Sequence, residues 1–405
     1  MTTWLRAQAA DIAGDRILRA YGVALALLHV VTFVHWYYQS DLPSMMGTGR
    51  PPMCWPFWES CIEARVLDDA QWKALLWGFL ALSLVTAGAF LRERTARLGY
   101  FLLIAVSALR LAIVFQDYNL RLNQHYMASW ATLVFLFLPN KRALIQHIVV
   151  AFYFFAGVLK LDGEWLSGAA LYNAHRLWIP EPWLPEACAY VLVLECILVI
   201  GLYAKNPWIH YGTMAQLVAF HVVSYALVGF YYPLLMACLL TIFPLVRAWS
   251  PPEQWPTPFD LVDKPEPWPG RVLILVFGAA NLMHYAWPGD SAITGEGRLF
   301  ALHMFDARVI CEGGAEVHRD DGGSSYIPLT PREFNRSACD PIRYFNIGQD
   351  LCRKRAERPG WQEVDIFLSS RRSSDPKLKA VLDIHHFCGA DLSYDLWRPN
   401  PWIKK

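Results

Sequence analysis

A lysine stands at the end of a long apolar stretch. In residues 151–168, AFYFFAGVLKLDGEWLSG, an aromatic run leads directly into Lys160, and Asp162, Glu164 and Trp165 follow. An ammonium at the edge of the hydrocarbon costs free energy, up to roughly 2.5–3.5 kcal/mol at a helix centre and less near the interface. The structural explanation is a lysine that marks a helix end and snorkels to water. The chemical explanation is a base. A lysine accepts a proton only as the neutral amine, which an apolar pocket favours and an ionised neighbour such as Asp162 opposes. Asp162 is therefore expected to turn away, capping the next segment or anchoring the outer loop.

Two further places carry polar groups at the same end of the apolar segments. One is Asn123-Gln124-His125-Tyr126. The other is Phe220-His221, with Ser224, Leu227 and Gly229 after it. An imidazole inside a membrane helix is costly unless it is bonded, so His221 is either satisfied by a neighbouring hydroxyl or carbonyl, or functional. Arg110 and Glu195 each interrupt an apolar helix. They are expected to pair with each other, or Arg110 with Asp117. His385-His386 beside Cys388 is too small a cluster for a metal site, and a disulfide is the better expectation for Cys388. His29 and His35 read as packing or interface residues. There is no P-loop, dinucleotide fingerprint or serine-nucleophile motif.

The elements that must position these groups are membrane helices. The chain is 55% hydrophobic and 18% charged, with 18 Trp, 18 Tyr and 22 Phe as interface anchors. Its net charge of +1 is uninformative, and no basic tract points to a nucleic-acid partner, so none is expected. Nine apolar segments lie at about 17–38, 72–91, 98–117, 121–139, 143–160, 185–203, 208–229, 231–247 and 271–287. The fourth and eighth are short or hold proline, so the count is eight or nine. Residues 1–16 form an N-terminal interfacial segment rather than a cleaved signal. Arg92, Arg94, Arg97, Lys141, Arg142 and Lys205 fall in alternate connections, which makes those connections cytoplasmic. The N-terminus is then inside, and Lys160 and residues 288–405 face outward.

The cysteines agree with that sidedness. Cys54, Cys61, Cys311, Cys339, Cys352 and Cys388 lie on the oxidising side, enough for three disulfides among 15 possible pairings. Cys196 and Cys238 read as packing residues, and Cys188 is open to either fate. A Pro-rich connection at 248–270 precedes the last segment. After it come strand-like runs at Ala307–Ile310, Val364–Leu368 and Val381–His385, a turn at Asp321-Gly322-Gly323 and a helix at Asp340–Glu357. The expected fold is an all-α polytopic membrane bundle over 17–287, carrying a small α+β extracytoplasmic domain over 288–405.

Phe155-Ala156-Gly157-Val158-Leu159-Lys160-Leu161-Asp162, with Trp165 and Gly168, resembles the lysine motif of the vitamin K-dependent γ-glutamyl carboxylase family, part of the wider HTTM (horizontally transferred transmembrane) group. Asn123-Gln124-His125-Tyr126 resembles the family's Asn-Asn-His segment. Phe220-His221 with Gly229-Phe230, and Gly295-Glu296-Gly297 with Phe300 and Met304, are similar to two further family segments, so that the resemblance covers roughly residues 15–310. It implies Lys160 as the catalytic base with His125 and His221 assisting, and Asn123, Tyr126, Phe220 and Trp165 around a reduced vitamin K-type naphthoquinone. His125 would bond the hydroquinone oxygen or orient Lys160. Oxygen and carbon dioxide would be co-substrates, and a secreted or membrane peptide would be carboxylated on glutamate. The implied setting is a bacterial inner membrane, with lipid and quinone as partners and the C-terminal domain in the periplasm. The short outer region, and Leu302-His303 where the family has a Ser-Trp flavour, depart from the pattern and put a propeptide-type docking site in doubt. The rival reading is a non-catalytic HTTM scaffold that binds a partner through its outer domain; a lipid or quinone transporter is a third.

Overall fold

The computed structural model describes residues 2–47, 53–58, 61, 66–171, 179–260, 268–303, 308–329 and 336–405. Helix α1 (Thr2–Gly14) is followed by α2 (Arg16–Val34), whose first turn is capped by the Asp15 carboxylate accepting from the backbone N–H of Ile17 and Leu18. The helix continues as a π-turn over His35–Gln39. Short α3 (Leu42–Met46) leads to α4 (Asp69–Phe90), which starts at a capping box of Asp68 and Gln71. Then come α5 (Glu93–Phe115), α6 (Asn123–Phe137), α7 (Lys141–Val158), short α8 (Gly163–Leu166), α9 (Leu184–Cys196) and α10 (Pro207–Val228). Helices α11 (Tyr231–Leu240) and α12 (Ile242–Trp249) run on as one span, and α13 (Trp268–Leu282) closes the bundle.

Among the described residues, seven helices are long and apolar enough to cross a membrane. Two of the nine segments fall short of that length, and they are not the pair expected. The eighth segment, despite Pro244, is a 19-residue span, because a proline early in α12 sits where no preceding turn needs its N–H. The fourth and ninth are the short ones: α6 and α13 have 15 residues each, or roughly 22 Å against a hydrocarbon thickness of about 30 Å.

Contacts between connections sort the bundle into two ends. At one end the Asn346 side chain exchanges hydrogen bonds with the Cys54 backbone at 2.8 and 3.3 Å, and Tyr118 donates to Asp340 at 2.7 Å. These join the connections after α3 and α5 to the C-terminal domain. At the other end Arg16 donates to the Trp249 carbonyl at 2.9 Å, Arg142 pairs with Asp15, and Arg247 donates to the Ala204 and Lys205 carbonyls. The clustered basic residues therefore gather at the end opposite the C-terminal domain.

The C-terminal domain begins with short α14 (Ser291–Thr294). An antiparallel sheet in the order β2-β1-β3-β4 follows, from β1 (Val309–Arg319), β2 (Ser324–Pro328), β3 (Trp361–Arg372) and β4 (Lys379–Ile384). Asp321-Gly322-Gly323 turns β1 into β2, as expected. Helix α15 (Pro341–Glu357) is capped by Asp340 and buries Ile342, Phe345, Gly348 and Leu351. Of the expected strand Ala307–Ile310, residue 307 lies outside the described residues, as do Met304 and positions 261–267 of the Pro-rich connection. All six cysteines expected on the oxidising side are paired, as Cys54–Cys61, Cys311–Cys339 and Cys352–Cys388. Cys188, Cys196 and Cys238 are free thiols.

Candidate active site

Lys160 leaves the end of α7 and is 2% exposed. Its Nζ lies 2.6 Å from Oε2 of Glu195, which is fully buried on α9. The close approach of α7 and α9 depends on Gly157. A Cβ there would meet Cys196 Sγ at 2.5 Å and Glu195 Cβ at 3.0 Å. The Trp165 ring sits 5.4 Å from the ammonium, within cation–π range, and its indole N–H donates to the Cys188 carbonyl at 3.0 Å. Among the described residues Glu195 Oε1 has no hydrogen-bond partner.

Two helical turns before Lys160, Tyr153 shares its face of α7. The Tyr153 hydroxyl is 2.6 Å from His221 Nε2 on α10, and the Tyr232 ring of α11 lies 5.1 Å from that imidazole. The Lys160–Glu195 pair and the Tyr153–His221–Tyr232 group thus lie two turns apart along α7, facing α9, α10 and α11. Phe220 stands beside His221 with ring centroids 5.1 Å apart.

His125 belongs to a different group. Its Nδ1 lies 3.2 Å from the Tyr231 hydroxyl, and its ring packs 5.4 Å from Trp36. The expectation that His125 orients Lys160 is corrected: Glu195 of α9 holds the lysine, and His125 bonds Tyr231. Asn123 donates to the His303 carbonyl at 2.7 Å, tying α6 to the chain after α13. The Tyr126 hydroxyl is buried in the same region. Consecutive residues of α11 therefore serve two chambers, Tyr231 that of His125 and Tyr232 that of His221.

The expected pairing of Arg110 with Glu195 is also corrected. Glu195 takes Lys160, and Arg110 donates to the Ser129 hydroxyl at 2.9 Å. Among the described residues no ion pair joins Arg110 to Glu195 or Asp117.

Asp162 turns away from Lys160, as expected. It accepts from the Glu164 N–H at 2.9 Å and pairs with Arg372 of β3 at 2.6 Å. Arg372 also grips Asp290 at 2.5 and 2.8 Å. Burial opposes ionisation of Asp290, but the Arg372 hydrogen bonds and charge outweigh it and hold that carboxyl below the usual range. Glu164 is buried and accepts from the Arg308 and Ser374 N–H groups and the Ser373 and Ser374 hydroxyls, at 2.8–3.0 Å. A groove of about 450 Å³ opens here, lined by Leu159, Leu161, His284, Tyr285, His303 and Arg372 among others.

Sequence reading missed Tyr153, Tyr232 and the anchor made by Glu164 and Arg372. The available signal for Tyr153 was its seven-residue spacing from Lys160. No family model, curated protein or solved structure matches this chain. The functional reading therefore rests on its own residues and their geometry.

Proposed function

We propose that this chain is a membrane enzyme of the vitamin K-dependent γ-glutamyl carboxylase type. It couples oxygen-dependent epoxidation of a reduced naphthoquinone to carboxylation of a protein glutamate. The observation that carries the reading is the buried Lys160–Glu195 pair. Ammonium with carboxylate, and neutral amine with carboxylic acid, have the same net charge. A proton shift across 2.6 Å thus frees the amine as a base without changing the charge buried in a low-dielectric site.

The surroundings fit a flat aromatic head with an oxygen at each end. Trp165, Tyr153, Tyr232 and Phe220 supply rings, and Glu195 Oε1 and His221 Nδ1 are buried polar atoms with no partner among the described residues. A bound reduced naphthoquinone, with dioxygen, supplies the strong base that removal of a glutamate γ-hydrogen demands, and carbon dioxide adds to the carbon so exposed. Lys160 takes the hydroxyl proton of the bound hydroquinone. Tyr153 orients His221, which faces developing negative charge. His125 adjoins this site through α11 rather than touching Lys160. The peptide enters by the groove beside Leu161.

In this reading all nine segments pass through the bilayer, α6 and α13 as its short members. The N-terminus and the basic connections are cytoplasmic, and the disulfide-bearing domain is periplasmic in a bacterial inner membrane. The test is turnover. Purified protein in lipid, given a reduced menaquinone-type substrate and oxygen, is expected to yield the epoxide by mass spectrometry, and Lys160→Ala is expected to yield none. A folded, quinone-binding sample that makes no epoxide would leave the partner-binding scaffold as the better account.

A further inference from the structure

Arg110 is fully buried, and a guanidinium stays charged in proteins. Among the described residues its one hydrogen bond is Nη2 to the Ser129 hydroxyl at 2.9 Å. That hydroxyl gives its own proton to the His125 carbonyl at 2.7 Å, so it offers Arg110 a neutral acceptor only. Among the described residues no carboxylate pairs with Arg110, and its Nε and Nη1 have no partner. An uncompensated buried charge of this kind costs several kcal/mol unless something neutralises it.

The neighbours point the same way. Trp36 Nε1 is buried without a partner, and indole is a donor only. Trp36 packs 5.4 Å from His125 and 5.4 Å from Phe79, and His29 packs 5.7 Å from the same Phe79. His29 spends Nε2 on the Ser107 hydroxyl at 3.2 Å, one turn before Arg110 on α5, and keeps Nδ1 without a partner. His125 spends Nδ1 on Tyr231 and keeps Nε2. His29 can accept from Ser107 at Nε2 and turn its Nδ1–H toward a bound acceptor, whereas His125 gives its Nδ1–H to Tyr231, because Thr32 spends its proton on the Leu28 carbonyl and Tyr231 spends its own on Thr32.

We propose that the region between α2, α5 and α6 binds a small monovalent inorganic anion, held by Arg110, the Trp36 indole N–H and the Nδ1–H of His29. Water is a poorer match, since it brings protons of its own into a group already rich in donors and leaves the charge in place. The proposal is independent of the Lys160 chemistry, because none of these residues touches Lys160 or Glu195.

The test uses the full chain purified in detergent and exchanged into potassium gluconate. Chloride, bromide or nitrate replaces gluconate stepwise at constant ionic strength, and the unfolding temperature is read at each step. Wild type is expected to show a saturable rise of a few degrees, because a ligand that binds only the folded state stabilises by mass action. Arg110→Gln is expected to lose the dependence, and Trp36→Phe to shift its midpoint several-fold to higher concentration. Bromide in crystals of the wild type is expected to give anomalous density beside Arg110. A wild type indifferent to anion identity would overturn the proposal, as would a dependence that survives in Arg110→Gln. Should Arg110→Gln fail to fold, an unchanged midpoint in Trp36→Phe overturns it instead.

Discussion

Separating the Lys160–Glu195 pair from the stability of the bundle is possible because its two halves respond differently to removal. At 2.6 Å and an effective dielectric of about 20, the mutual attraction is roughly 6 kcal/mol. Desolvating each ion costs several kcal/mol, so the pair as a whole contributes little net stability. Removing one partner is another matter. With side chains 3% and 0% exposed, Lys160→Met strands a carboxylate and Glu195→Leu strands an ammonium, each at a cost of roughly 3–5 kcal/mol. The double variant Lys160→Met/Glu195→Leu removes both charges and fills the space with apolar groups, and it is expected to recover most of that loss. Reversible unfolding in mixed detergent micelles, followed by circular dichroism, measures all four corners of the cycle. The coupling expected is roughly 3 kcal/mol or more. Single-variant losses below about 1 kcal/mol that simply add would match a solvent-exposed pair and refute the reasoning. In the epoxidation assay the double variant is expected to be folded and inactive, which distinguishes a chemical role from a structural one.

Gly157→Ala drives a methyl into Cys196 Sγ, and it is expected to destabilise by roughly 1–3 kcal/mol, with partial rescue by Cys196→Ala in the same unfolding assay. Replacing Cys352 and Cys388 by serine opens a cross-link of sequence separation 36, and the outer domain is expected to lose roughly 3–4 kcal/mol by loop entropy, seen as protease sensitivity confined to that domain. Asp290 is held below the ordinary carboxylate range by Arg372, so its contribution is present above about pH 4 and is lost as pH falls through the folded value. Arg372→Leu is expected to remove that acid limb from the stability–pH profile, and a profile unchanged between the two proteins would exclude the linkage.

The parts of the molecule that were legible in the sequence are those written in local pattern. Apolar runs located the helices, alternate arginines and lysines sorted their ends, and Asp340 followed by Pro341 marked the start of α15. Asp162 followed the same logic, since an acid two residues past a membrane lysine either spoils it or turns outward. Pairing across the bundle was not legible. Glu195 could have met either buried cation, and the choice of Lys160 depended on Gly157 allowing α9 to approach. Segment length misled in the same way. Pro244 made the eighth segment look weak, whereas no residue pattern marked the 15-residue lengths of α6 and α13.

The clamp of Arg372 on Asp162 leaves almost no slack in the chain. Asp162 is two residues past Lys160, and its N–H already bonds the Lys160 carbonyl at 2.7 Å. Two residues fully extended reach only about 7 Å. The sheet that carries Arg372 is thus mechanically geared to the lysine by a strap too short to absorb travel. Any displacement of that sheet is therefore passed on to the chain beside Lys160 and its partner Glu195.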